Sequence, residues 1–277
     1  MIDLHCHSFY SDGAHSPADL FDMAVEAGLQ MMALTDHDTL AGLDDLHKAA
    51  GASDKTIRII NGIELSARWK KHEVHILGLN VPLDGSDFNA VVESQAESRQ
   101  KRALDISKKL EAIGLQDSYN KACKLAGHEH IGRPHFAKVL LEEGYTKDFQ
   151  QGFNRYLGRG KIAYVPTSWV SLEEAVYAIK ASGGQAVVAH PLKYSLTRTK
   201  VRELIEAFKD AGGDAVEVVS GAILSDQMQE VVRLCNQFEL LASSGSDFHS
   251  TIMSTTQLGA QRDLPLNCTP IWTDWTL

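Results

Sequence analysis

Two histidines near the start of the chain are spaced so that they can grip a metal ion. The segment from Ile2 to His7 is typical of a short strand, and residues two apart on a strand point to the same face. His5 and His7 therefore project together, and Asp12, on a Ser-Asp-Gly turn, can add a carboxylate oxygen at the same end. The alternative is one buried and one hydrogen-bonded histidine at a strand tip, and this stretch alone leaves both interpretations open.

Further side chains of metal-ligand type lie in or just after short apolar segments in the rest of the chain. We expect them at or near strand ends: Asp36-His37, Glu64, His75, His190 and Asp247-His249. In a β/α barrel the strand ends converge on one mouth, where active sites lie. One polar residue at a strand end usually makes ordinary hydrogen bonds, but a whole set of metal-ligand types favours a shared metal site. We expect the remaining histidines outside the insertion motifs at the surface: His15, His47, His72, His128 and His130.

Short apolar runs alternate with amphipathic segments over most of the chain. We expect helices at 17–28, 43–50, 172–181, 201–211 and 227–238, the first capped by Ser16, and strands at 2–7, 31–35, 57–63, 73–79, 185–189, 215–219 and 240–244. Such alternation favours a parallel sheet, closed as a barrel because the polar strand ends then share one mouth. The stretch 99–166 has no strong strand pattern and is predicted to be a helical insertion into a barrel formed by 1–98 and 167–277.

Composition and charge are typical of a globular enzyme. Of 277 residues, 44% are hydrophobic and 23% are charged, and neither a bilayer-spanning run nor a signal peptide is visible. The four scattered cysteines favour free thiols, so we expect a cytoplasmic protein. The net charge is −9, yet residues 97–161 hold 13 Lys+Arg and 8 Asp+Glu. An acidic body can hold cations and a basic insertion suits an anionic substrate, although a lysine-rich solvated surface is common.

Taken together, the motifs resemble those of the PHP (polymerase and histidinol phosphatase) superfamily from end to end. They are Asp-Leu-His-Cys-His at 3–7, Ser-Asp-Gly at 11–13, Thr-Asp-His-Asp at 35–38, Gly-Ile-Glu at 62–64, His75, Ala-His-Pro at 189–191 and Gly-Ser-Asp-Phe-His at 245–249. The resemblance implies an α/β fold, a distorted (β/α)7 TIM-like barrel with an inserted helical cap. It also implies two to three divalent metal ions, Mn²⁺ first, with Fe or Zn as alternatives.

The same resemblance implies how the ligands are grouped. One ion would be held by His5, His7, Glu64 and Asp247; Glu64 would bridge to a second ion, completed by His75 and His190; and Asp12, His37 and His249 would hold the third. It also implies catalytic roles for Asp12, Glu64, His190 and Asp247, while the general acid stays open between His190 and His249.

Two motifs in the insertion narrow the resemblance to one branch of the superfamily. Gly-Arg-Pro-His-Phe-Ala at 132–137 and Tyr-Leu-Gly-Arg-Gly-Lys at 156–161 are similar to those of small bacterial PHP phosphoesterases, which include 3′,5′-nucleotide bisphosphate phosphatases and 5′→3′ exoribonucleases. By that resemblance the insertion caps the metal mouth and binds substrate phosphate through Arg133, His135, Arg159 and Lys161. The alternative is that Arg133 and His135 only hold the insertion together.

These expectations lead to a metal-dependent phosphoesterase. By resemblance, the preferred reaction is hydrolysis of the 3′-phosphate of a nucleoside 3′,5′-bisphosphate to a nucleoside 5′-monophosphate and phosphate, with 5′→3′ cleavage of short 5′-phosphorylated RNA as a related activity. The alternatives are a histidinol-phosphate-type phosphatase and a non-catalytic PHP interaction module, which should lack one or more ligands. We expect a nucleotide or short RNA as substrate, no DNA sequence recognition, no membrane association and no obligate protein partner.

Overall fold

A nearly closed sheet forms the centre of the computed structural model, which describes residues 1–251, 254 and 256–275. The strands are β1 (Ile2–Cys6), β2 (Met31–Leu34), β3 (Arg58–Trp69), β4 (His72–Leu79), β5 (Val170–Ser171), β6 (Gln185–Val188), β7 (Ala215–Ser220) and β8 (Leu241–Gly245). Their order is β1-β2-β3-β4-β6-β7-β8, and β5 pairs with β3. The N–H of Asp247 donates to the carbonyl of His5 at 2.8 Å, which brings the end of β8 beside β1 and confirms the predicted α/β barrel.

Helices cover the outside of the sheet in the predicted alternation. They are α1 (Pro17–Glu26), α2 (Leu43–Ala52), α7 (Leu172–Ala181), α8 (Arg198–Asp210) and α9 (Ser225–Gln237). Ser16 caps α1 as predicted, because its hydroxyl accepts from the N–H of Asp19 at 3.1 Å and the Asp19 carboxylate accepts from the N–H of Ser16 at 3.1 Å. None of the described helices combines the length and the apolar character needed to cross a membrane.

Strand β4 is antiparallel to both of its neighbours, which corrects the prediction of an all-parallel sheet. The third strand is predicted to end at about Glu64. Strand β3 instead continues to Trp69, and the chain turns back through Lys70, whose φ is 53°. His75 then pairs with Ser66, and β4 also pairs antiparallel with β6. Because β4 runs in the opposite direction, His75 reaches the barrel mouth from the first half of its strand rather than from its C-terminal end.

The middle of the chain is helical, as predicted. It contains α3 (Ser86–Glu111), α4 (Ser118–Ala126), α5 (Arg133–Glu142), α6 (Phe149–Gly152) and a π-helix at Phe153–Leu157. The predicted boundary between 98 and 99 lies inside α3, which is continuous across it, so the division into barrel and insertion stays a prediction. Positions 252, 253, 255, 276 and 277 of the predicted barrel segment lie outside the described residues.

Separate apolar cores hold the barrel and the middle segment. The barrel interior is filled by side chains such as Leu4, Met31 and Val187, while the middle segment packs around Phe136, with Leu140 and Leu157. Replacing a fully buried Phe by Ala typically costs about 3–5 kcal/mol. The core around Phe136 therefore makes a large contribution to the packing of α4, α5 and the π-helix.

Candidate metal centre

The structure brings the nine predicted metal ligands together at one mouth of the barrel. His5, Glu64 and His75 lie on β1, β3 and β4, and the other six follow strands β1, β2, β6 and β8: His7, Asp12, His37, His190, Asp247 and His249. Seven of them form three overlapping groups of potential ligand atoms among the described residues, and the other two, His190 and Asp247, contact members of these groups. The role of each residue as a ligand stays a prediction.

Four atoms converge in the first group. His5 Nε2 and His7 Nε2 lie 3.1 Å apart, and Glu64 Oε2 lies 3.4 and 3.3 Å from them. Asp247 Oδ1 lies 3.4 and 3.3 Å from the same two nitrogens. Ligand atoms that surround one ion at about 2 Å are themselves roughly 3–3.4 Å apart. Five of the six distances among these atoms are therefore close to those between ligands of one ion, and His5, His7 and Glu64 together form one group of potential ligand atoms.

Glu64 uses its other carboxylate oxygen in a second group. Its Oε1 lies 2.9 Å from His75 Nδ1 and 3.0 Å from His190 Nε2. A carboxylate with one oxygen in each of two groups can bridge two ions, which matches the predicted position of Glu64.

The third group surrounds Asp12. Its Oδ1 lies 3.3 Å from His249 Nε2, and its Oδ2 lies 3.7 Å from His37 Nε2. His7 also lies within reach of these three residues, since one potential ligand atom from each of the four fits within 4.8 Å. In addition, His37 Nδ1 lies 3.0 Å from Glu64 Oε2, so His37 contacts two groups.

The hydrogen bonding of Glu64 fits a metal-binding cluster. Its side chain is fully buried, and Oε2 has no hydrogen-bond partner in the part of the chain that the structure describes, although imidazole nitrogens surround it at 3.0 to 3.4 Å. A buried carboxylate oxygen normally requires hydrogen bonds or a cation. The His and carboxylate donors are those that Mn, Fe and Zn accept. The cluster is therefore suited to divalent metal ions.

Three buried carboxylates in the cluster are ionised. Burial by itself raises the pKa of Glu64, but His75, His37 and His5 lower that pKa well below the usual range of a glutamate. Burial also raises the pKa of Asp12 and of Asp247, but the histidines beside them lower both pKa values well below the ordinary value of an aspartate. Against the effect of burial, the same contacts raise the pKa of His249 to about 9, because Asp12 and Asp247 stabilise its charged form, so imidazolium protons balance these carboxylates until a metal ion replaces them.

Two residues of the cluster have unusual backbone conformations that direct their side chains into it. His190 and Asp247 have positive φ values of 27° and 53°, which non-glycine residues rarely adopt. Gly245, just before this turn, lies so close to β1 that a Cβ there would be 2.3 Å from the Cβ of His5. Only glycine allows β8 to approach β1 this closely and to bring Asp247 to His5.

Two buried acidic residues hydrogen-bond to ligand-type residues of the cluster or to its loops. Glu217 on β7 accepts from His5 Nδ1 at 2.9 Å and from the N–H of His190 at 2.6 Å. Asp36 accepts from the hydroxyls of Ser8 and Ser11 at 2.6 Å each, and so holds the loop that leads to Asp12. Partners of this kind fix the orientation of metal-binding side chains and loops.

The middle segment docks on the barrel next to His37. Arg99 of α3 donates to Asp38, and the hydroxyl of Ser66 donates to the same carboxylate at 2.8 Å. His130 Nε2 lies 2.7 Å from the carbonyl of His37, and His128 Nε2 lies 2.5 Å from the carbonyl of Phe9. Of the histidines predicted at the surface, His47 is exposed, whereas His15, His72, His128 and His130 are partly buried, the last two because they contact the loops of the metal cluster.

A cavity of about 580 Å³ adjoins the cluster and has a cationic lining. Lys71, Arg133, Arg159 and Lys193 lie in its wall, together with the aromatic side chains of Phe153, Tyr164 and Tyr194. Glu73 holds Arg133 in place, because its Oε2 accepts from Arg133 Nη2 at 3.1 Å. Its Oε1 accepts from Arg102 Nη1 at 3.2 Å and from Trp169 Nε1 at 2.9 Å.

Comparison with known proteins decides the family. A family model described as a PHP domain matches residues 3–256. The chain belongs to the PHP domain family. A 5′-3′ exoribonuclease of Haemophilus influenzae is 40% identical over 270 residues, covering 98% of this chain and 97% of the relative. A 3′,5′-nucleoside bisphosphate phosphatase of Chromobacterium violaceum is 40% identical over 272 residues, covering 98% and 95%.

A solved structure has the same fold as this PHP protein over nearly its whole length. It is an amidohydrolase from Chromobacterium violaceum with bound sulfate and no metal, 40% identical with a TM-score of 0.91, and the match covers 98% of this chain and 94% of that one. The family and the barrel fold predicted from the motifs are thereby confirmed.

The four predicted phosphate-binding residues of this PHP protein differ in position. Arg133 and Arg159 line the cationic cavity. His135 is 3% exposed, and its Nδ1 accepts from the N–H of Gly132 at 3.0 Å. Burial lowers the pKa of His135 to about 3, so its ring is neutral. Lys161 is exposed and outside the described lining of the cavity.

Sequence reasoning missed two residues of this PHP domain site. Glu217 had a signal, because it is an acidic residue in the middle of the apolar strand Ala-Val-Glu-Val-Val-Ser at 215–220. Such a residue faces the core and requires a buried partner. Lys193 had no comparable signal, since a lysine in a loop after His-Pro-Leu is ordinary. Its Nζ nevertheless lies 2.6 Å from Asp247 Oδ2.

Proposed function

We propose that this PHP protein hydrolyses the 3′-phosphate of nucleoside 3′,5′-bisphosphates to a nucleoside 5′-monophosphate and phosphate. The observation that carries the proposal is the position of the cationic cavity next to the His and carboxylate cluster. Lys193 lines both this cavity and the one over the cluster. A substrate with two phosphates can place one at the cluster and the other among the cations. The relative from Chromobacterium violaceum carries the name of this activity.

We infer that two to three divalent ions, Mn²⁺ first and Fe or Zn as alternatives, occupy the cluster. The proposed ligand groups are those that the family resemblance implies, and their contacts are given above: His5, His7, Glu64 and Asp247; Glu64, His75 and His190; Asp12, His37 and His249. Bound ions of this kind polarise phosphoryl oxygens and lower the pKa of water. The chain itself holds the ionised carboxylates and the imidazoles at fixed positions before substrate binds.

The proposed catalytic residues are Asp12, Glu64, His190 and Asp247. Glu64 lies at the centre of the cluster, because its two carboxylate oxygens contact histidines of different ligand groups. Asp12 and Asp247 lie in the wall of a cavity of about 320 Å³ over the cluster, where a phosphoryl group can approach them. His249 donates from Nδ1 to the carbonyl of Asp247 at 3.0 Å, which turns its Nε2 towards Asp12.

Arg133 and Arg159 are the proposed contacts for the second phosphate. The forked guanidinium donors suit phosphate oxygens, and Glu73 occupies only one edge of Arg133 in this structure. Phe153 and Tyr164 in the same cavity offer aromatic faces for a nucleobase. For His135 and Lys161 phosphate binding stays a prediction, as does the cytoplasmic location inferred from the four cysteines, all of which are free.

A 5′→3′ exoribonuclease activity on short 5′-phosphorylated RNA is the second candidate. The name of the Haemophilus influenzae relative favours it. One chemistry serves both substrates, since the 3′-phosphorus is attacked in each and only the group beyond it differs. A histidinol-phosphate-type phosphatase is less favoured, because the cationic cavity would then have no second phosphate to bind. A non-catalytic module is disfavoured because all nine ligand positions are occupied by ligand-type residues.

Phosphate release from adenosine 3′,5′-bisphosphate in the presence of Mn²⁺ tests the proposal. The wild-type chain and Glu64→Ala should be assayed beside a short 5′-phosphorylated RNA and histidinol phosphate. AMP formation by the wild type alone supports the bisphosphatase activity, and mononucleotides from RNA add the exonuclease. Turnover of histidinol phosphate alone, or equal activity of the variant, would overturn the proposal.

A further inference from the structure

Lys193 is held at the edge of the metal cluster by a turn and by a carboxylate. It lies three positions after His190, and its backbone N–H donates to the carbonyl of His190 at 2.9 Å. Its Nζ lies 2.6 Å from Asp247 Oδ2. The other oxygen of the same carboxylate, Oδ1, lies 3.4 Å from His5 Nε2 and 3.3 Å from His7 Nε2. Asp247 thus presents one oxygen to the cluster and the other to Lys193.

Among the cavities that Lys193 lines, two adjoin at the metal cluster. One, of about 320 Å³, lies over the cluster and has Asp12, Asp247 and His249 in its wall. The other is the cationic cavity of about 580 Å³ with Arg133 and Arg159. Lys193 is therefore located where the proposed site of phosphoryl transfer meets the proposed site of the second phosphate.

The side chain of Lys193 is also free to change its partner. It is 47% exposed, whereas Asp247 is 13% exposed, so the ammonium group can move while the carboxylate stays in the wall. A lysine is a mobile point charge with three donors, and it commonly binds phosphate. A phosphoryl group that enters the cavity over the cluster offers several charged oxygens within the reach of Nζ.

We propose that Lys193 is a catalytic residue that binds the phosphoryl group to be transferred, with its ammonium directed at a non-bridging oxygen. The proposal rests on the phosphoesterase function proposed above and adds a residue to it. Charge develops on the phosphoryl oxygens during the reaction, and a cation that faces them lowers the barrier. Lys193 makes this contact from the side of the cationic cavity, and it also orients the substrate between the two cavities.

A rival explanation is that Lys193 serves only as a counter-ion that orients Asp247. The two explanations differ in what is lost when the ammonium is removed. A counter-ion of Asp247 affects metal binding first, whereas a phosphoryl contact affects phosphate binding and turnover while the metal content stays the same.

The test compares Lys193→Ala and Lys193→Arg with the wild type, each loaded with Mn²⁺. Lys180→Ala is the matched control, because Lys180 Nζ lies 2.5 Å from Asp214 Oδ1 with side-chain exposures of 41% and 19%, similar to those of the Lys193 pair. Metal content, the affinity for inorganic phosphate by calorimetry, and kcat and KM on adenosine 3′,5′-bisphosphate are measured for all four proteins.

We expect Lys193→Ala to keep its metal content, to bind inorganic phosphate at least about tenfold more weakly, and to lose about 100- to 1000-fold in kcat/KM. Lys193→Arg should recover most of both losses, and Lys180→Ala should match the wild type. The proposal is overturned if Lys193→Ala loses metal in parallel with activity, or if its phosphate affinity is unchanged. If the wild type binds phosphate but does not hydrolyse the bisphosphate, the proposed function fails, and the phosphate affinities still decide the role of Lys193.

Discussion

Glu217 Oε1 lies 2.9 Å from His5 Nδ1, and both side chains are completely buried. The two residues are 212 positions apart in the chain. Because the carboxylate accepts a hydrogen bond from His5 Nδ1, it keeps a proton on that nitrogen and leaves Nε2 as the atom that can bind a metal ion. The lone pair of His5 Nε2 then points towards His7, Glu64 and Asp247, as a metal ligand requires.

Glu217→Gln should therefore weaken metal binding without unfolding the protein. The amide can donate to His5 Nδ1 and so place the proton on Nε2, inside the cluster. We expect the affinity for Mn²⁺ to fall about 10- to 100-fold, as is common when such a partner of a ligand is changed. Calorimetric titration of the metal-free protein measures this. Unchanged affinity in Glu217→Gln would show that the carboxylate does not fix the proton position of His5.

Glu64→Ala and Asp247→Ala should each abolish phosphoesterase activity and lower the metal content. Each substitution removes a negative charge that is in contact with several histidines of the cluster. Elemental analysis and phosphate release measure the two effects. Asp105→Ala, which breaks an exposed ion pair with Lys108, is the control and should behave as the wild type. Turnover near the wild-type level in Glu64→Ala or Asp247→Ala would refute the assignment of the site.

Chelation should lower the melting temperature as well as the activity. Ions that bind only the folded state stabilise it by about 2.7 kcal/mol at 100 times their dissociation constant. For a chain of this size that corresponds to roughly 5–10 °C. Thermal denaturation with and without EDTA gives the shift. The same comparison in Asp247→Ala should give a smaller shift, and an equal one would place the stabilising ions elsewhere.

Arg159→Ala should raise KM for the bisphosphate more than it lowers kcat, because the proposed contact is to the phosphate that is not transferred. Metal content should stay the same. Arg155→Ala is a suitable control, since Arg155 is exposed and close in sequence but is not among the described residues that line the cationic cavity. If Arg159→Ala instead loses metal, or if KM does not change, Arg159 does not bind phosphate.

Glu73 should make stability depend on pH in the acidic range. Burial raises the pKa of Glu73, but Arg102 and Arg133 lower it more, so the folded-state pKa lies below the ordinary value of 4.5. A lowered folded-state pKa stabilises the protein above the unfolded-state pKa, and this contribution is lost as the pH falls below about 4.5. Glu73→Gln should therefore be less stable than the wild type at neutral pH, with a difference that narrows in acid.

Melting temperatures of the wild type and Glu73→Gln between pH 7 and pH 3 give this difference directly. Other buried carboxylates titrate in the same range, but they are common to both proteins and cancel in the comparison. Glu206→Gln, at an exposed position on α8, should leave the whole curve unchanged. A gap between the wild type and Glu73→Gln that stays constant down to pH 3 would contradict the proposed ion pairing.

The sequence by itself determined the family, the barrel and the residues that meet at its mouth. His5, Glu64 and Asp247 are far apart in the chain, yet their motifs and the alternation of strands and helices were enough to predict that they converge. Strand ends in a β/α barrel share one side of the sheet, so the position of a residue on its strand predicts its position in the molecule. The start of α1 at Ser16 was predictable for a local reason, since a capping box depends on residues three positions apart.

Only the tertiary structure decided the direction of β4 and the surroundings of the cluster. The apolar pattern of β4 is the same in either direction. The connection through Lys70, which is too short for a parallel crossover, and the pairing with β6 make the strand antiparallel. The contacts of Glu217 with His5, of His130 with His37 and of Lys193 with Asp247 join separate parts of the chain. Such contacts form only when the sheet closes and the middle segment docks, because no local preference of the backbone specifies them.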